Sequence, residues 1–192
     1  MGGRKLPYDA EIEYLESTGT QWIDTGKYPH EIGRWELTVR FTDLGLQING
    51  CYPKTRERFH IGTNGSGRFR IMIGITSITQ PGDLSIHTFC IDTLDWYAQF
   101  DDIIVTCPTV SYTSQTTYSI IIANRTYYGN SGSFTYPCKE CIYKSRLYGL
   151  NRALVLDLIP VRIGTTGYMY DKVSGRLFGN AGTGEFILGP DV

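Results

Sequence analysis

Three glutamates stand together near the start of the chain, in Glu11-Ile-Glu13-Tyr-Leu-Glu16. Retaining glycoside hydrolysis requires two carboxyl groups about 5–5.5 Å apart, one ionised and one held protonated. In a regular strand Glu11 and Glu13 share a face, and Glu16 lies opposite unless a bulge intervenes. The plainer reading of the same residues is a solvated strand face with its charges outward. No catalytic residue is therefore assigned, and Glu11 with Glu16 is carried as an alternative. Cys138-Lys-Glu-Cys141 has zinc-knuckle spacing, but a structural zinc ion takes four ligands, and there is no second pair. His30, His60 and His87 are scattered, and the cysteines number five, so at least one is unpaired and no disulfide framework is implied. There is no Gly-x-Ser-x-Gly elbow. The glycine-rich run Gly179 to Gly184 lacks the Lys-Ser/Thr and the helix of a phosphate loop, which leaves a loop–strand connection.

Sugar binding needs different residues. Tyrosine and tryptophan rings offer a face to sugar C–H groups, while a few polar neighbours take the hydroxyls. Tyr127 and Tyr128, with Asn124, Arg125 and Asn130, fall in the longest turn-rich stretch, Asn124 to Pro137, where a binding loop is expected. Trp96 and Tyr97 are adjacent in a strand, so one of them must face outward. Tyr52, near Arg56, lies in another polar loop. These give the expected ligand-binding set: Tyr127, Tyr128, Asn124, Arg125, Asn130, Trp96 and Tyr52. Trp22 and Trp35 sit on alternating apolar faces and are expected in the core.

The elements that must hold these residues are strands. Trp35, Leu37, Val39 and Phe41 alternate with Glu36, Thr38, Arg40 and Thr42, the period of a strand with one wet face. Phe69, Ile71 and Ile73 repeat the pattern, as do Leu154, Leu156 and Leu158 up to Pro160, which is expected to end its run. Ile86 to Thr93, Trp96 to Phe100 and Ile103 to Thr106 follow one another across short turns. Tyr118 to Ala123 reads as a central strand. Tyr168 to Val173 and Arg176 to Phe178 flank Ser174-Gly175, a hairpin signal. Helical periodicity is nearly absent. The 192 residues carry 22 glycines for turns, 14 tyrosines that favour strands, and 41% hydrophobic residues, enough for a core. A net charge of −1 gives no footprint for nucleic acid or an anionic membrane. No apolar run approaches the ~20 residues that span a bilayer, and Met1 to Asp9 has no signal-peptide core.

The stretch LDLIPVRIGTTGYMYDKVSGRLFGNAGTGEF, with EIEYLESTGTQWIDTG at the other end of the chain, resembles the laminin-G-like modules of the concanavalin A-like lectin/glucanase superfamily. Such modules occur in phage, prophage and surface proteins of gut bacteria. The resemblance runs from about Asp9 to Gly189, and it implies an all-β, two-sheet antiparallel jelly-roll sandwich with the first and last strands side by side on one edge. Glu11, Glu13 and Glu16 are similar to the E-x-D-x-x-E signature of the superfamily's glucanases, with Glu13 in place of the aspartate. Some laminin-G-like modules hold calcium at a loop rim, where Asp92, Asp95, Asp101, Asp102 and Asp171 would supply oxygens. Asp171 is expected instead to cap the Ser174-Gly175 turn, and no cofactor is assigned.

These readings converge on residues 1–9 as a flexible leader and 10–192 as a single sandwich domain. The expected role is a non-enzymatic recognition or adhesion module of a phage tail or bacterial surface protein. Its expected partner is a glycan or cell-surface polysaccharide, at a virion or cell surface. One alternative is a structural part of a virion or surface assembly, docking on copies of itself or on virion neighbours. The other is a glycoside hydrolase built on Glu11 and Glu16.

Overall fold

The structure, a computed structural model, describes residues 6–52, 58–108, 118–129, 132–135 and 138–192, with backbone alone at 52, 125–129 and 132–135. In chain order the strands are β1 (Ala10–Glu11), β2 (Leu15–Thr18), β3 (Ile23–Asp24), β4 (Ile32–Phe41), β5 (Ile48–Tyr52), β6 (Phe59–Thr63) and β7 (Arg68–Ile73). Then come β8 (Thr76–Pro81), β9 (His87–Asp92), β10 (Tyr97–Phe100), β11 (Ile103–Thr106), β12 (Ile121–Ile122) and β13 (Arg125–Gly129). The last are β14 (Gly132–Thr135), β15 (Lys139–Gly149), β16 (Leu154–Ile163), β17 (Thr166–Asp171), β18 (Leu177–Phe178) and β19 (Ile187–Leu188).

They form the expected two-sheet sandwich. The larger sheet runs β11-β10-β9-β4-β15-β16-β17-β18, with β1, β2 and β19 attached; the smaller runs β14-β13-β5-β6-β7-β8, with β12 and β3 attached. Pairing is antiparallel except between β13 and β5, which run parallel. The alternation of β4 is realised: Trp35, Leu37, Val39 and Phe41 are buried, and their neighbours face out. Trp35 stacks on Phe59 across the sandwich at 5.8 Å, and Phe69 meets Phe89 edge-on at 5.2 Å. Such aromatic pairs add about 0.5–1.5 kcal/mol beyond the area they bury. The Trp35 indole Nε1–H donates to Ser145 Oγ at 3.0 Å, so its one polar atom is satisfied in the core.

Several details differ from the sequence reading. Pro160 does not end its strand; β16 continues to Ile163. The N–H and C=O of a strand residue point to the same side. The Pro160 carbonyl accepts from Ile12 N at 3.1 Å, so the missing N–H faces β1 and costs nothing in the ladder to β17. The terminal strands do lie together, but in a seam inside the sheet, not on its edge. Near Lys139 β15 pairs with β2, and near Ser145 it pairs with β16; β1 takes up the side of β16 that β15 leaves. β19 then pairs with β2, and Ile12 bridges Asp191. The apolar run Tyr118 to Ala123 yields only the two-residue β12. The turn-rich stretch after it holds the β13–β14 hairpin.

The hairpin at Ser174-Gly175 forms as expected. Met169 pairs with Phe178, and Gly175 sits at φ +76°, a conformation glycine adopts without strain. Asp171 caps the turn, accepting from Val173 N and Ser174 N at 3.0 Å each and from Ser174 Oγ at 2.5 Å. Gly182 docks the glycine-rich run on the N-terminal segment: Ala181 N and Thr183 N donate to Trp22 O and Thr20 O at 2.9 Å each. The two stretches that carry the family resemblance are therefore packed on each other. Just before β1, Asp9 N donates to Arg162 O at 2.9 Å, and Tyr8 meets Tyr170 edge-on at 4.9 Å.

Candidate functional site: the outer face of the large sheet

The outward positions of β4, β9, β10, β15 and β16 come together in one polar, tyrosine-bearing surface. Register places Arg34 beside Asp92 and Tyr148, and Glu36 beside Cys90 and Arg146; Arg146 in turn lies beside Asp157. Each alternates with a core residue, so the strand period turns it away from the core, although Cys90, Asp92 and Asp157 are covered by their neighbours. Arg34 Nη2 contacts Glu36 Oε1 at 2.6 Å, and Arg146 Nε donates to Asp157 Oδ1 at 3.1 Å. Between the two pairs, Tyr148 OH donates to Glu36 Oε2 at 3.4 Å, and Arg146 Nη1 lies 3.9 Å from the same oxygen. The Arg34 guanidinium also lies 5.6 Å from the Tyr148 ring centre, within cation–π reach. Lys144 Nζ approaches Asp157 at 4.0 Å.

A second stripe runs beside the first. Arg40 Nη2 donates to Cys141 Sγ at 3.1 Å, and the Tyr14 and Tyr143 rings lie 5.6 Å apart. The thiols on this face are buried. Burial pushes Cys90 up to about 11, and Cys141 likewise to about 11, so both stay protonated at neutral pH. Burial also pushes the Tyr97 hydroxyl up to about 12, which keeps it a neutral donor. The surface thus offers fixed donors, fixed acceptors and ring faces on stiff strands. A polyhydroxyl ligand needs all three.

The expected binding residues fall in different places. Tyr52 and Tyr127 are register partners in the parallel pair of β5 and β13, where Arg125 partners Gly50; Tyr128 partners Ser133 in β14. This brings Tyr52, Arg125, Tyr127 and Tyr128 onto neighbouring strands of the smaller sheet. Asn124 is not a surface contact: it is 1% exposed, because the chain dives into the sandwich just before β13. Asn130, with Arg56 and Tyr136, lies outside the described residues. Trp96 belongs to the other sheet, in the turn before β10, at φ +55° and packed against the core. Of the adjacent pair, Tyr97 is the one that reaches the outer face.

Glu11 and Glu16 are engaged separately. Ile12 and Leu15 are both buried, so the strand phase shifts between them. Glu11 partners Val161 and accepts from Tyr8 OH at 2.9 Å, whereas Glu16 partners Cys141 and Ile187. Cys138 and Cys141 also part company, Cys138 inside the core and Cys141 on the outer face, and none of the five cysteines is in a disulfide. Three of the aspartates near turns accept from the protein's own donors: Asp92 from Leu94 N and Asp95 N, Asp95 from Arg152, and Asp101 from His87. Among the described residues no three His, Cys, Asp or Glu side chains are grouped to hold a metal ion, and no helix is long and apolar enough to cross a membrane.

The sequence pointed to the outer face only in part. Glu36, Thr38 and Arg40 are legible as a wet strand face, but Arg146, Tyr148 and Asp157 join them only through pairing across strands distant in the chain.

Fold and surface together define a β-sandwich with a polar, aromatic sheet face. No protein-family model matches the chain, and no curated protein matches it. Among solved structures, the CBM40 module of the Ruminococcus gnavus IT-sialidase is similar, with 15% identity and a TM-score of 0.46, over 79% of this chain and 94% of that one.

Proposed function

We propose that this chain is a non-enzymatic recognition module that binds carbohydrate on the outer face of its large sheet. The proposal includes the laminin-G-like kinship and a place in a phage tail or bacterial surface protein. The observation that supports it most is the array Arg34–Glu36–Tyr148–Arg146–Asp157, held on three adjacent strands. Ion pairs side by side present a donor and an acceptor to each sugar hydroxyl, and the tyrosine rings accept its C–H face. Strands hold these groups at fixed spacing, so little ordering entropy is lost on binding. Single-site affinity on such an open face is weak, and repeated copies raise it.

The test is a glycan array probed with the chain displayed multivalently. Spots that fade with Arg146→Ala and Tyr148→Ala, and persist with Tyr127→Ala/Tyr128→Ala, support the sheet face. The reverse pattern moves the site to the β5–β13 strands that carry Tyr52, Arg125, Tyr127 and Tyr128. A blank array, with oligomers seen by light scattering, overturns the sugar reading in favour of a structural part.

A further inference from the structure

The geometry points to a second binding site, apart from the sheet face. The cavity between the loop after β3 and the β17–β18 hairpin takes an anionic pyranose, a sugar ring bearing a carboxylate or a sulfate. The cavity holds about 390 Å³, within the range of small-molecule pockets. Lys27, from the loop, and Arg176, from the hairpin, both line it, and Val155 and Phe178 add apolar surface.

The two cations are what set this cavity apart. Arg34, Arg146, Arg152 and Arg162 each have a carboxylate partner. Among the described residues, neither Lys27 nor Arg176 has one within ion-pair distance. Arg176 lies instead over the Phe178 ring, 5.3 Å from its centre, which orients the guanidinium plane and leaves its N–H fork available.

The carboxylates in the wall, Asp24 and Asp171, offset these charges only in part. Asp171 is 1% exposed, and its oxygens are taken by the hairpin and by Asp157 N at 2.9 Å. Asp24 Oδ1 accepts from Gly26 N at 2.9 Å and from Ser119 Oγ at 2.5 Å. Each carboxylate's field is thus partly compensated by N–H and O–H dipoles, whereas the ammonium and guanidinium are not compensated. A planar carboxylate or a sulfate matches the Arg176 fork, with Lys27 as a point charge opposite. The ring's apolar face fits against Phe178 and Val155, and its hydroxyls meet the remaining oxygen of Asp24. The sugar part of this assignment rests on the recognition reading above; the anion part rests on the cavity alone.

The experiment is a set of amide NMR titrations of the whole chain with glucuronate, glucose 6-sulfate, glucose and inorganic sulfate. Both anionic sugars are expected to move the Gly26, Lys27, Ser174 and Gly175 amides, while glucose leaves them unmoved and sulfate alone binds at least tenfold more weakly. The tighter of the two sugars identifies the anion. Lys27→Met and Arg176→Met, both at solvent-accessible positions, should each weaken binding about tenfold and leave the rest of the spectrum in place. Equal response to glucose overturns the anion requirement, and sulfate binding as tightly as the sugars overturns the pyranose. Shifts confined to Glu36, Arg146 and their neighbours overturn the second site while leaving the sheet-face reading intact. Shifts at the cavity beside a sheet face that stays silent on the glycan array sink the sheet-face reading and leave the cavity standing.

Discussion

Glu140 is the residue whose chemistry fits its surroundings least. It is fully buried and faces the core from β15, where its Oε2 accepts from Asn49 Nδ2 of the other sheet at 2.9 Å. Its Oε1 is buried without a hydrogen-bond partner among the described residues. Burial outweighs the hydrogen bond from Asn49 and pushes the carboxyl up to about 8. The unfolded chain loses this proton near its ordinary value of 4.5, while the folded chain keeps it to about 8. Across that window the folded state binds more protons, so stability falls as pH rises and levels off above it. Glu140→Gln should remove this residue's share of the slope: urea midpoints of the variant and the parent should be close at pH 4.5, and the variant's should be higher at pH 8. A parent midpoint that rises with pH across this window would contradict the assignment. His87 adds to the same trend, by a different cause. Burial opposes its charge, but Asp101 Oδ2 at 2.6 Å and Asp83 Oδ1 at 2.8 Å prevail, and its pKa lies above the ordinary 6.5. The stabilisation is complete below 6.5 and is lost as pH climbs through the raised value. An imidazole NMR titration should give a midpoint above 6.5, moving back down in Asp101→Asn; an unmoved midpoint would show that Asp101 does not set it.

At the level of elements, the glycine-rich run and the segment before β3 meet in close backbone contact. A Cβ on Gly182 would lie 2.1 Å from the Thr20 carbonyl oxygen and 2.5 Å from the Trp22 ring. Backbone cannot yield as a flexible side chain does, so Gly182→Ala should cost about 1–3 kcal/mol, as overpacking does. A chemical melt measures it, and a variant as stable as the parent would mean that the run is not docked there. This junction also shows what could be read in the sequence. Glycine, serine and proline turns and period-two alternation are local signals, so β4, β7, β9, β10, β11 and the Ser174-Gly175 hairpin were legible residue by residue. Pro160 was misread because the side of a strand on which an N–H is needed depends on its neighbour, here Ile12, far away in the chain. The β13–β14 hairpin was read as loop because its Gly, Asn and Ser content outweighed the Thr-Tyr-Tyr and Ser-Phe-Thr runs that form it. Asn124 was placed in that loop for the same reason. The outer-face array is made by long-range register between β4, β15 and β16, which no local pattern reports.

For the molecule as a whole, the seam that joins both ends of the chain is the point where cooperativity should be measured. Phe186 is 5% exposed, and its Cβ lies 3.6 Å from where a side chain on Gly167 would begin. Phe186→Ala should cost about 3–5 kcal/mol. If the seam is one cooperative unit, hydrogen-exchange protection should then fall not only in β19 but also in β2 and in its partner residues Lys139–Ile142 of β15. Loss confined to β19 would show that the last strand is an independent flap. The same seam dictates an order of events during synthesis. Leu15 emerges early from the ribosome, yet its partners are Ile142 and Leu188. At ~5–20 residues per second, the apolar side of β2 stays uncovered for roughly ten seconds before β15 is even made. Closure of the large sheet therefore waits for β15 and β19, and until they arrive β2 is the element most prone to misassociation.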